Sequence, residues 1–590
     1  MADKENEPIM TVDKKEKKKM TAKEKKENKR MEKEEVKREK EERKEKFDRN
    51  GELWQFKVAS LFFGLMGAFS DAVIGFLKDI EKPKSPYEEV ERPIWMLEYV
   101  FESMDRQQKL RPTFNTRATT GKKKISGLRL SRSAAIYPQM PTLVNDLYPA
   151  TFGITIESPE EANIHLLTKA TEAFPIFQIK NAVNAYGIDA SVFSIETLKT
   201  INGAMIEIRH QEPRDEASWF CTSAQGKSVK VTKYAEDQHE TFLKHLQRVT
   251  AMIGKNEKVV PPPENLKFGT NLDMNDIDLW RHQYAELEKL PNGFGIFNKR
   301  SNMLNHTGRI IQGMNLAQVY IKVPHVKTPC HQENNSFCSI NINIGPGSCL
   351  WLGVAYEYWP KVEKMCQDRG INFMSGTYWP NPKDLRKAGI PVYEFIQKAG
   401  DMVYVSAGCV HWVKSLGYCV NVAWNVGPMT DRQMTIACKS YDYNIDARYE
   451  SLVPIQTLCW NLAASDEAEI TELALRSTIE HVLTKSLNKV IDMHNILKAD
   501  NASIKFKPSK ETDRLDTCTE CQSEMFFYVF KLNSKDQRCS SCISSDDIKK
   551  NTCKIEKRYQ SVQELEAIFE VFTGRPFKKS NDLKRKLTDS

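Results

Sequence analysis

The sequence lacks the features that mark secreted proteins. It has 14 cysteines in 590 residues, too few for a disulfide scaffold, and its first ten residues, MADKENEPIM, contain no apolar core of the kind found in a signal peptide. We therefore expect the chain to work in a reducing compartment. In such a compartment, cysteines that cluster in the sequence are more often metal ligands than disulfide partners.

A long hydrophobic run is also missing. The most apolar segment, residues 58–77, is interrupted by Asp71 and contains three glycines, and its uncharged part has only 13 residues. A helix needs about 20 apolar residues to cross a bilayer. We therefore expect a buried or partner-binding helix here and no membrane association.

Positive charge is not concentrated in one strongly basic region. The net charge is +8, and residues 1–50, with 19 Lys and Arg against 15 Asp and Glu, account for half of it. This distribution argues against a large nucleic-acid surface elsewhere, but it allows an acidic or chromatin-associated partner. The basic runs KKEKKK (residues 14–19) and KRK (residues 584–586) are compatible with nuclear import and equally with a solvated tail.

Residues 316–426 have the pattern of a β barrel. Five short segments are rich in β-branched and aromatic residues, and Gly or Pro separates them: AQVYIKV, FCSININI, CLWLGVA, DMVYVSA and CVNVAWNV. Strands at this spacing predict a jelly roll. Downstream, apolar residues recur with a period of 3.6 and predict a helix from about Asp466 to Leu497.

The stretch TPCHQENNSFCSIN places His331 two residues before Glu333. Side chains two residues apart on a strand point to the same side, so both can reach one metal ion if a strand begins here; alone, they could equally be a surface pair. His411, in GDMVYVSAGCVHWV, can supply a third ligand because a jelly roll brings distant strands together. Two histidines and a carboxylate leave coordination positions open, as in non-haem Fe(II) oxygenases, whereas a structural zinc site is closed.

A 2-oxo acid bound at such an iron needs a cation for its distal carboxylate. Lys322, in VYIKVP, is the candidate, and Thr328 and Asn341 flank it in the sequence. Without a neighbouring metal site, Lys322 would more simply be an edge-strand lysine that reaches solvent.

The C-terminal region has two pairs of cysteines with the spacing of zinc ligands. CTEC (Cys518–Cys521) and CSSC (Cys539–Cys542) are separated by 17 residues. Two such turns can present four thiolates to one tetrahedral zinc ion. The intervening segment is apolar and weakly basic, so we expect the module to dock on protein and not to bind DNA sequence-specifically. Cys553 remains outside the set.

These motifs resemble the JmjC domain of the histone H3 lysine-27 demethylases. The resemblance rests on YIKVPHVKTPCHQENNSFCSININIGPGSCLW, IPVYEFIQKAGDMVYVSAGCVHWV and NVAWNVGP. It implies a mainly β catalytic core, a double-stranded β-helix or jelly roll, with flanking helices and a small C-terminal zinc ribbon-like module. The sequence departs from the family in PHVKTPC, which replaces a glycine-containing loop before the first ligand.

The resemblance also implies roles for individual residues. The expected iron ligands are His331, Glu333 and His411, and the expected contacts of 2-oxoglutarate are Lys322, Thr328, Asn341 and Asn421. Tyr320 and Ser339 correspond to residues that line the methyl-lysine pocket. Cys518, Cys521, Cys539 and Cys542 are the expected ligands of a structural zinc ion.

The function implied is oxidative demethylation of tri- and dimethylated lysine 27 of histone H3 in the nucleus, dependent on Fe(II) and 2-oxoglutarate and releasing formaldehyde, succinate and CO2. The expected partners are the histone H3 tail, nucleosomes and chromatin-complex subunits that bind the N-terminal region. Three alternatives stay open: a JmjC protein hydroxylase, a non-catalytic chromatin-binding scaffold and, more weakly, a zinc-finger transcription factor.

The same reading divides the chain into seven regions. They are a charged low-complexity tail (1–50), an apolar helix and linker (51–137), a mixed α/β lead-in (138–263), the JmjC jelly-roll catalytic domain (264–430), a helical segment (431–512), a GATA-like zinc module (513–575) and a basic tail (576–590).

Overall fold

The computed structural model describes residues 127–578, except 134, 140, 142–145, 163–169, 171–172, 214–218, 239, 241–265 and 511–514. The predicted charged tail, the apolar segment 58–77 and residues 579–590 lie outside the described residues. Within the described part, no helix is both long and apolar enough to span a membrane.

Two sheets form the body of the described structure. The larger sheet has the strand order β1-β2-β11-β8-β13-β6-β5-β3-β4, and the smaller has the order β10-β9-β12-β7. The strands are β1 (Phe152–Thr155), β2 (Ile176–Lys180), β3 (Met205–Pro213), β4 (Trp219–Lys230), β5 (Leu266–Asp273), β6 (Gln318–Lys322), β7 (Lys327–His331), β8 (Cys338–Pro346), β9 (Cys349–Val354), β10 (Tyr393–Gln397), β11 (Met402–Val405), β12 (Val410–Ser415) and β13 (Cys419–Val426). An apolar cluster with members from both sheets, including Trp351 and Val405, joins them. The predicted mainly β core is confirmed.

Alternation along β6, β8 and β13 separates the core from the interior of the barrel. Successive side chains of a strand point to opposite faces. In β8, Ile340 and Ile342 belong to the main hydrophobic core, whereas Ser339 and Asn341 line an internal cavity. β6 follows the same rule, with Ile321 in the core. The sequence pattern SININI therefore encodes a barrel wall with a polar inner face.

The predicted lead-in is continuous with the jelly roll. β2 pairs with β11, and β3 pairs with β5, the first strand of the predicted catalytic region, so the lead-in strands extend both ends of the larger sheet. Phe177 of β2 and Leu272 of β5 lie in the same hydrophobic core as the barrel strands. The lead-in and the predicted catalytic region thus share one sheet and one core.

Helices cover the sheets and follow them in the chain. They are α1 (Ala182–Ala185), α2 (Ile195–Thr200), α3 (Arg281–Leu287), α4 (Trp359–Asp368), α5 (Pro382–Lys387), α6 (Asp431–Ala447), α7 (Ile455–Ala464), α8 (Leu473–Ala499), α9 (Ser545–Lys549) and α10 (Val562–Thr573). Residues 231–238 are also helical.

The long helix α8 begins later than predicted. The 3.6 periodicity suggested a start near Asp466, but the first helical residue is Leu473. Arg300 explains the difference, because its backbone oxygen accepts a hydrogen bond from the Glu469 amide and its guanidinium bonds the Glu469 carboxylate. These contacts hold the preceding segment in a non-helical conformation.

A third, small sheet lies near the C-terminus. It has the order β14-β17-β15-β16, with β14 (Ile504–Phe506), β15 (Tyr528–Lys531), β16 (Gln537–Arg538) and β17 (Lys554–Lys557). The apolar segment between the two cysteine pairs packs on the helices: Phe526 stacks on Trp460 of α7 at 5.9 Å. The buried Glu524 carboxylate accepts hydrogen bonds from the Gln456 and Thr457 amides at the start of α7. The module is thus docked on protein.

Candidate active site

Strand pairing brings the two predicted histidines together. β7 and β12 are antiparallel neighbours, and His411 lies directly opposite His331 in their register. Glu333 follows two residues after the end of β7, in extended backbone (φ −62°, ψ 155°). The strand predicted in FCSININI begins at Cys338, but His331 and Glu333 do not share a strand, because β7 ends at His331. The extended backbone still brings the carboxylate to the histidines, as the i, i+2 argument requires.

The three side chains can reach a single metal ion. Their ligand atoms all lie within 4.8 Å of one another, and Nε2 of His411 is 3.5 Å from Oε1 of Glu333. In each histidine, Nδ1 lies by a backbone oxygen two residues earlier, Pro329 for His331 (2.8 Å) and Cys409 for His411 (3.3 Å). A ring that donates from Nδ1 keeps the Nε2 lone pair for a metal.

The protonation states suit metal binding. Burial and the neighbouring His331 lower the pKa of His411, so its ring is neutral near pH 7. Burial alone would raise the pKa of Glu333, but the two histidines, with hydrogen bonding from Asn425 and Ser339, hold that pKa below its usual value. Two histidines and one carboxylate form the donor set of non-haem Fe(II) sites with open positions.

The triad lies in a cavity of about 830 Å³. This volume is within the range of pockets that hold small molecules. The predicted co-substrate residues Lys322, Thr328 and Asn341 line the same cavity, as do Tyr320 and Ser339. The structure therefore brings together eight of the nine residues predicted for the oxygenase site.

Lys322 is buried without an anionic partner. Its side chain is 4% exposed, and its ammonium lies 6.0 Å from the centre of the Phe268 ring. Among the described residues, no carboxylate forms an ion pair with it. Burying an unpaired charge is unfavourable, so this ammonium suits a ligand that brings its own carboxylate.

Asn421 is the ninth predicted residue, and it lies behind the cavity. It is fully buried and is not among the side chains that line the cavity. Its Nδ2 donates to Oδ1 of Asn341 at 2.9 Å. Asn421 therefore acts on the cavity through Asn341 and does not itself face the space where a co-substrate fits.

Tyr320 presents a neutral hydroxyl group near the triad. Burial, and secondarily the negative charge of Glu333, raise the pKa of Tyr320 above its usual value. The hydroxyl donates to Oε1 of Gln318, the first residue of the same strand, at 2.9 Å. The phenol ring is thereby held in place as part of the cavity wall.

Several cavity residues escaped the sequence analysis. Arg209 of β3 and Asn271 of β5 reach the cavity from strands upstream of the predicted barrel segments. Trp351 of β9 also lines it, with its ring stacked on His411 at 5.8 Å and 14°. Trp351 stands in the predicted strand segment CLWLGVA, close to the predicted ligands, and this position was the available signal. The sequence around Arg209 and Asn271 carried no comparable signal.

The four predicted zinc ligands form a second cluster. The sulfur atoms of Cys518, Cys521, Cys539 and Cys542 lie within 4.8 Å of one another, and those of Cys521 and Cys539 are 3.8 Å apart. A tetrahedral zinc ion with Zn–S bonds of about 2.3 Å separates its sulfur ligands by roughly 3.8 Å. The donor set therefore fits a closed structural zinc site. Cys553 is outside the cluster.

Loss of one of these thiols should release the metal and loosen the module. We expect Cys518→Ser to lose one zinc per chain and to lower the melting temperature, because structural zinc binding is coupled to folding and the module shares a core with α7. Metal analysis and a thermal melt measure both effects. Cys553→Ser, which changes a buried cysteine of the same module, is the control and should keep its zinc; an unmodified protein free of zinc would contradict the assignment.

Comparison with known proteins gives two family matches. Residues 318–426 match the family described as JmjC domain, hydroxylase, which here runs from the first residue of β6 to the last residue of β13. Residues 433–490 match the family described as lysine-specific demethylase 6/UTY, C-terminal helical domain. The second match covers most of α6, all of α7 and much of α8.

Three curated proteins are similar over longer stretches. Lysine-specific demethylase 6B of Homo sapiens is 33% identical over 463 residues, 73% of this chain and 28% of its own length. Lysine-specific demethylase jmjd-3.1 of Caenorhabditis elegans is 34% identical over 52% of this chain and 29% of its own. C-module-binding factor A of Dictyostelium discoideum is 26% identical over 42% and 25%. The chain thus spans less than a third of each of these relatives.

Proposed function

The chain is a homologue of lysine-specific demethylase 6B with a JmjC domain and a lysine-specific demethylase 6/UTY C-terminal helical domain, and from this premise we propose that it demethylates tri- and dimethylated lysine 27 of histone H3. The proposed products are formaldehyde, succinate and CO2, and the proposed location is the nucleus. The observation that supports this most strongly is the triad of His331, Glu333 and His411 beside a buried, unpaired lysine.

The proposed cofactors follow from the two donor sets. The triad would hold Fe(II), and Lys322, Thr328 and Asn341 would hold 2-oxoglutarate, with the ammonium on the distal carboxylate. When bound, iron and 2-oxoglutarate would supply the chemistry that uses dioxygen to hydroxylate an N-methyl group: one oxygen atom goes to succinate and the other to the methyl carbon, and the hydroxymethyl product then loses formaldehyde. Barrel side chains exclude bulk water and fix the orientation of the co-substrate.

The pocket wall suits a methylated ammonium group. Trimethyl-lysine has no N–H to donate, so ordinary hydrogen bonds cannot hold it. An aromatic face and polarised oxygen atoms can still attract its positive charge. Tyr320 supplies the aromatic ring, and Ser339 supplies a hydroxyl next to Glu333. Both are inner-face residues of the larger sheet, on β6 and β8, the two strands that flank β13, so they would place the methyl groups close to the triad.

The cavity extends toward the zinc module. Glu450 and Leu515 line this cavity, and they also line a second cavity of about 520 Å³. Zinc-module residues such as Thr519 and Gln537 line this second cavity. The two cavities together form a path on which a basic peptide could lie, with Glu450 at their junction. We propose that contacts along this path select the histone tail.

A panel of methylated peptides tests the proposed substrate. We expect faster removal of methyl groups from a trimethyl-lysine-27 peptide of histone H3 than from lysine 4, 9 or 36 peptides, measured by mass spectrometry. Glu450→Gln should lower kcat/KM for the peptide severalfold, since one partly exposed charge pair contributes about 0.2–1 kcal/mol, and should leave the KM for 2-oxoglutarate unchanged.

The panel also distinguishes the alternatives. Equal rates on all four peptides would contradict the lysine-27 assignment. A stable mass gain of one oxygen without methyl loss would indicate a protein hydroxylase instead. The matched control is Glu394→Gln, which changes an exposed carboxylate on β10 that pairs with Arg386 outside the cavity; it should leave kcat/KM unaltered.

A further inference from the structure

A chain of buried amide groups runs behind the wall of the cavity. Gln397, the last residue of β10, is fully buried and does not line the cavity. Its Oε1 accepts a hydrogen bond from Nε1 of Trp351 at 2.8 Å. Its Nε2 donates to the backbone oxygen of Asn341 at 3.0 Å and lies 3.3 Å from Oδ1 of Asn341. The same Nε2 also donates to the backbone oxygen of Asp401.

The indole group of Trp351 fixes the direction of this chain. An indole N–H can only donate, so the atom of Gln397 that faces it must be the amide oxygen. The amide nitrogen of Gln397 then faces Asn341. The Asn341 side-chain oxygen accepts a hydrogen bond from Asn421 at 2.9 Å and lies 3.3 Å from the Gln397 amide nitrogen, and both donors favour the orientation that leaves the Asn341 amide nitrogen as the polar group offered to the cavity. Among the described residues, no acceptor is recorded for that nitrogen.

The direction of the Asn341 amide matters for an anionic ligand. Carboxylate and keto oxygens only accept hydrogen bonds, so they bind an N–H and are repelled by an amide oxygen. A reversed Asn341 amide would place lone pairs against lone pairs in the space shared with Lys322 and Thr328. The polarity set by Trp351 is therefore the one that favours a 2-oxo dicarboxylate.

Trp351 also connects the chain to the metal site. Its ring is stacked on the imidazole of His411, with centroids 5.8 Å apart and planes at 14°. The hydrogen bond from its N–H to Gln397 anchors the ring in that position. One buried glutamine thus holds both the ring behind a proposed iron ligand and the amide beside the proposed co-substrate.

We propose that Gln397 is a positioning residue that directs the Asn341 N–H into the cavity and thereby sets the affinity for 2-oxoglutarate. Gln397 touches neither the co-substrate nor the triad, and it acts through Asn341 and Trp351. The inference rests on the proposed function, because it takes the ligand of this cavity to be a 2-oxo dicarboxylate.

The substitution Gln397→Glu tests the polarity directly. The ionised carboxylate can still accept from Trp351 but cannot donate to Asn341, so it favours the reversed amide. Burial raises the pKa of such a carboxyl group, and its protonated form can donate again. We therefore expect the dissociation constant for 2-oxoglutarate to rise roughly tenfold to a hundredfold at about pH 8 and to recover at about pH 6. Calorimetry on the full chain loaded with Mn(II) measures binding without turnover.

Two further variants separate positioning from general damage. Trp351→Phe keeps a ring on His411 but removes the indole N–H, so Gln397 can reverse; we expect a severalfold weaker affinity of the Mn(II)-loaded protein for 2-oxoglutarate, measured by the same calorimetry. Gln283→Glu is the matched control. It changes a buried glutamine of α3 that donates to the Val192 oxygen, away from the cavity, and it should bind 2-oxoglutarate normally.

The outcomes decide between the assignments. Normal 2-oxoglutarate affinity in Gln397→Glu at both pH values would overturn the positioning role. If Gln397→Glu loses affinity for 2-oxoglutarate equally at both pH values and Trp351→Phe binds 2-oxoglutarate normally, the positioning role is also overturned, in favour of a purely structural role. If Gln397→Glu does not fold, Trp351→Phe alone decides in the same way. Failure of the unmodified Mn(II)-loaded protein to bind 2-oxoglutarate would instead contradict the proposed function itself.

Discussion

Glu333→Ala and His331→Ala are each expected to abolish turnover while the protein stays folded. Each change removes one of the three proposed metal ligands, so we expect the site to lose most of its iron. Neither change opens an apolar core, since both side chains face the cavity and that of Glu333 is 20% exposed. We therefore expect the melting temperature to change by only a few degrees.

Iron content per chain, turnover of a methylated peptide and a thermal melt measure the three effects on the same samples. Glu394→Ala is the control, because it also removes a carboxylate from a barrel strand but lies outside the cavity. Full turnover by either triad variant would show that these residues do not hold the reactive metal. A large drop in melting temperature would show that they are structural.

Lys322→Ala is expected to raise the KM for 2-oxoglutarate by about two to four decades. Leaving one partner of a buried ion pair without the other destabilises by about 3–5 kcal/mol, and each 1.4 kcal/mol corresponds to about tenfold in affinity. Lys322 is 4% exposed and has no anionic partner among the described residues. Once Lys322 is removed, the distal carboxylate would enter a buried site without a cation.

Lys322 should also have an opposite effect on the stability of the ligand-free protein, which gives a second test. An unpaired buried ammonium is unfavourable in the free protein, so Lys322→Met, which keeps the length of the side chain, should melt no lower than the unmodified protein. It should nevertheless lose the thermal stabilisation that added 2-oxoglutarate provides. The control Lys414→Met changes a lysine of β12 that does not line the cavity, and it should keep this response. An unchanged KM in Lys322→Ala would mean that another group holds the distal carboxylate.

The sequence predicted the barrel well because its strands have two-faced patterns. In SININI and in VYIK, apolar residues alternate with polar ones. The structure places Ile340, Ile342, Val319 and Ile321 in the core, and Ser339, Asn341, Tyr320 and Lys322 on the cavity. The start of α8 was placed too early because the segment 466–472 is not helical. In this segment the Glu469 amide donates to the Arg300 backbone oxygen, and its carboxylate pairs with the Arg300 guanidinium. Periodicity gives a local preference, and a partner 169 residues away is not visible in it.

The candidate site was predictable only in part. His331, Glu333 and His411 stand in short motifs whose residue types reveal metal chemistry. Gln397 has no such motif, and Asn421 was predicted through the family resemblance as a direct co-substrate contact and not as a residue behind Asn341. Asn421 lies behind Asn341 because β13 pairs with β8, and Gln397 reaches Asn341 from the end of β10, which pairs with β9; spacing in the sequence defines neither arrangement. Arg209 and Asn271 were missed for the same reason, because β3 and β5 join the barrel sheet from far upstream.

The most direct test of the central claim is the balance of products in one reaction. The full chain, Fe(II), 2-oxoglutarate and a trimethyl-lysine-27 peptide of histone H3 are incubated in air, and formaldehyde, succinate and peptide mass are measured together. The account predicts one formaldehyde and one succinate for each methyl group lost. With Glu333→Ala it predicts no formaldehyde, no succinate and no change in peptide mass. Succinate without methyl loss, or methyl loss that survives Glu333→Ala, would contradict demethylation by this triad.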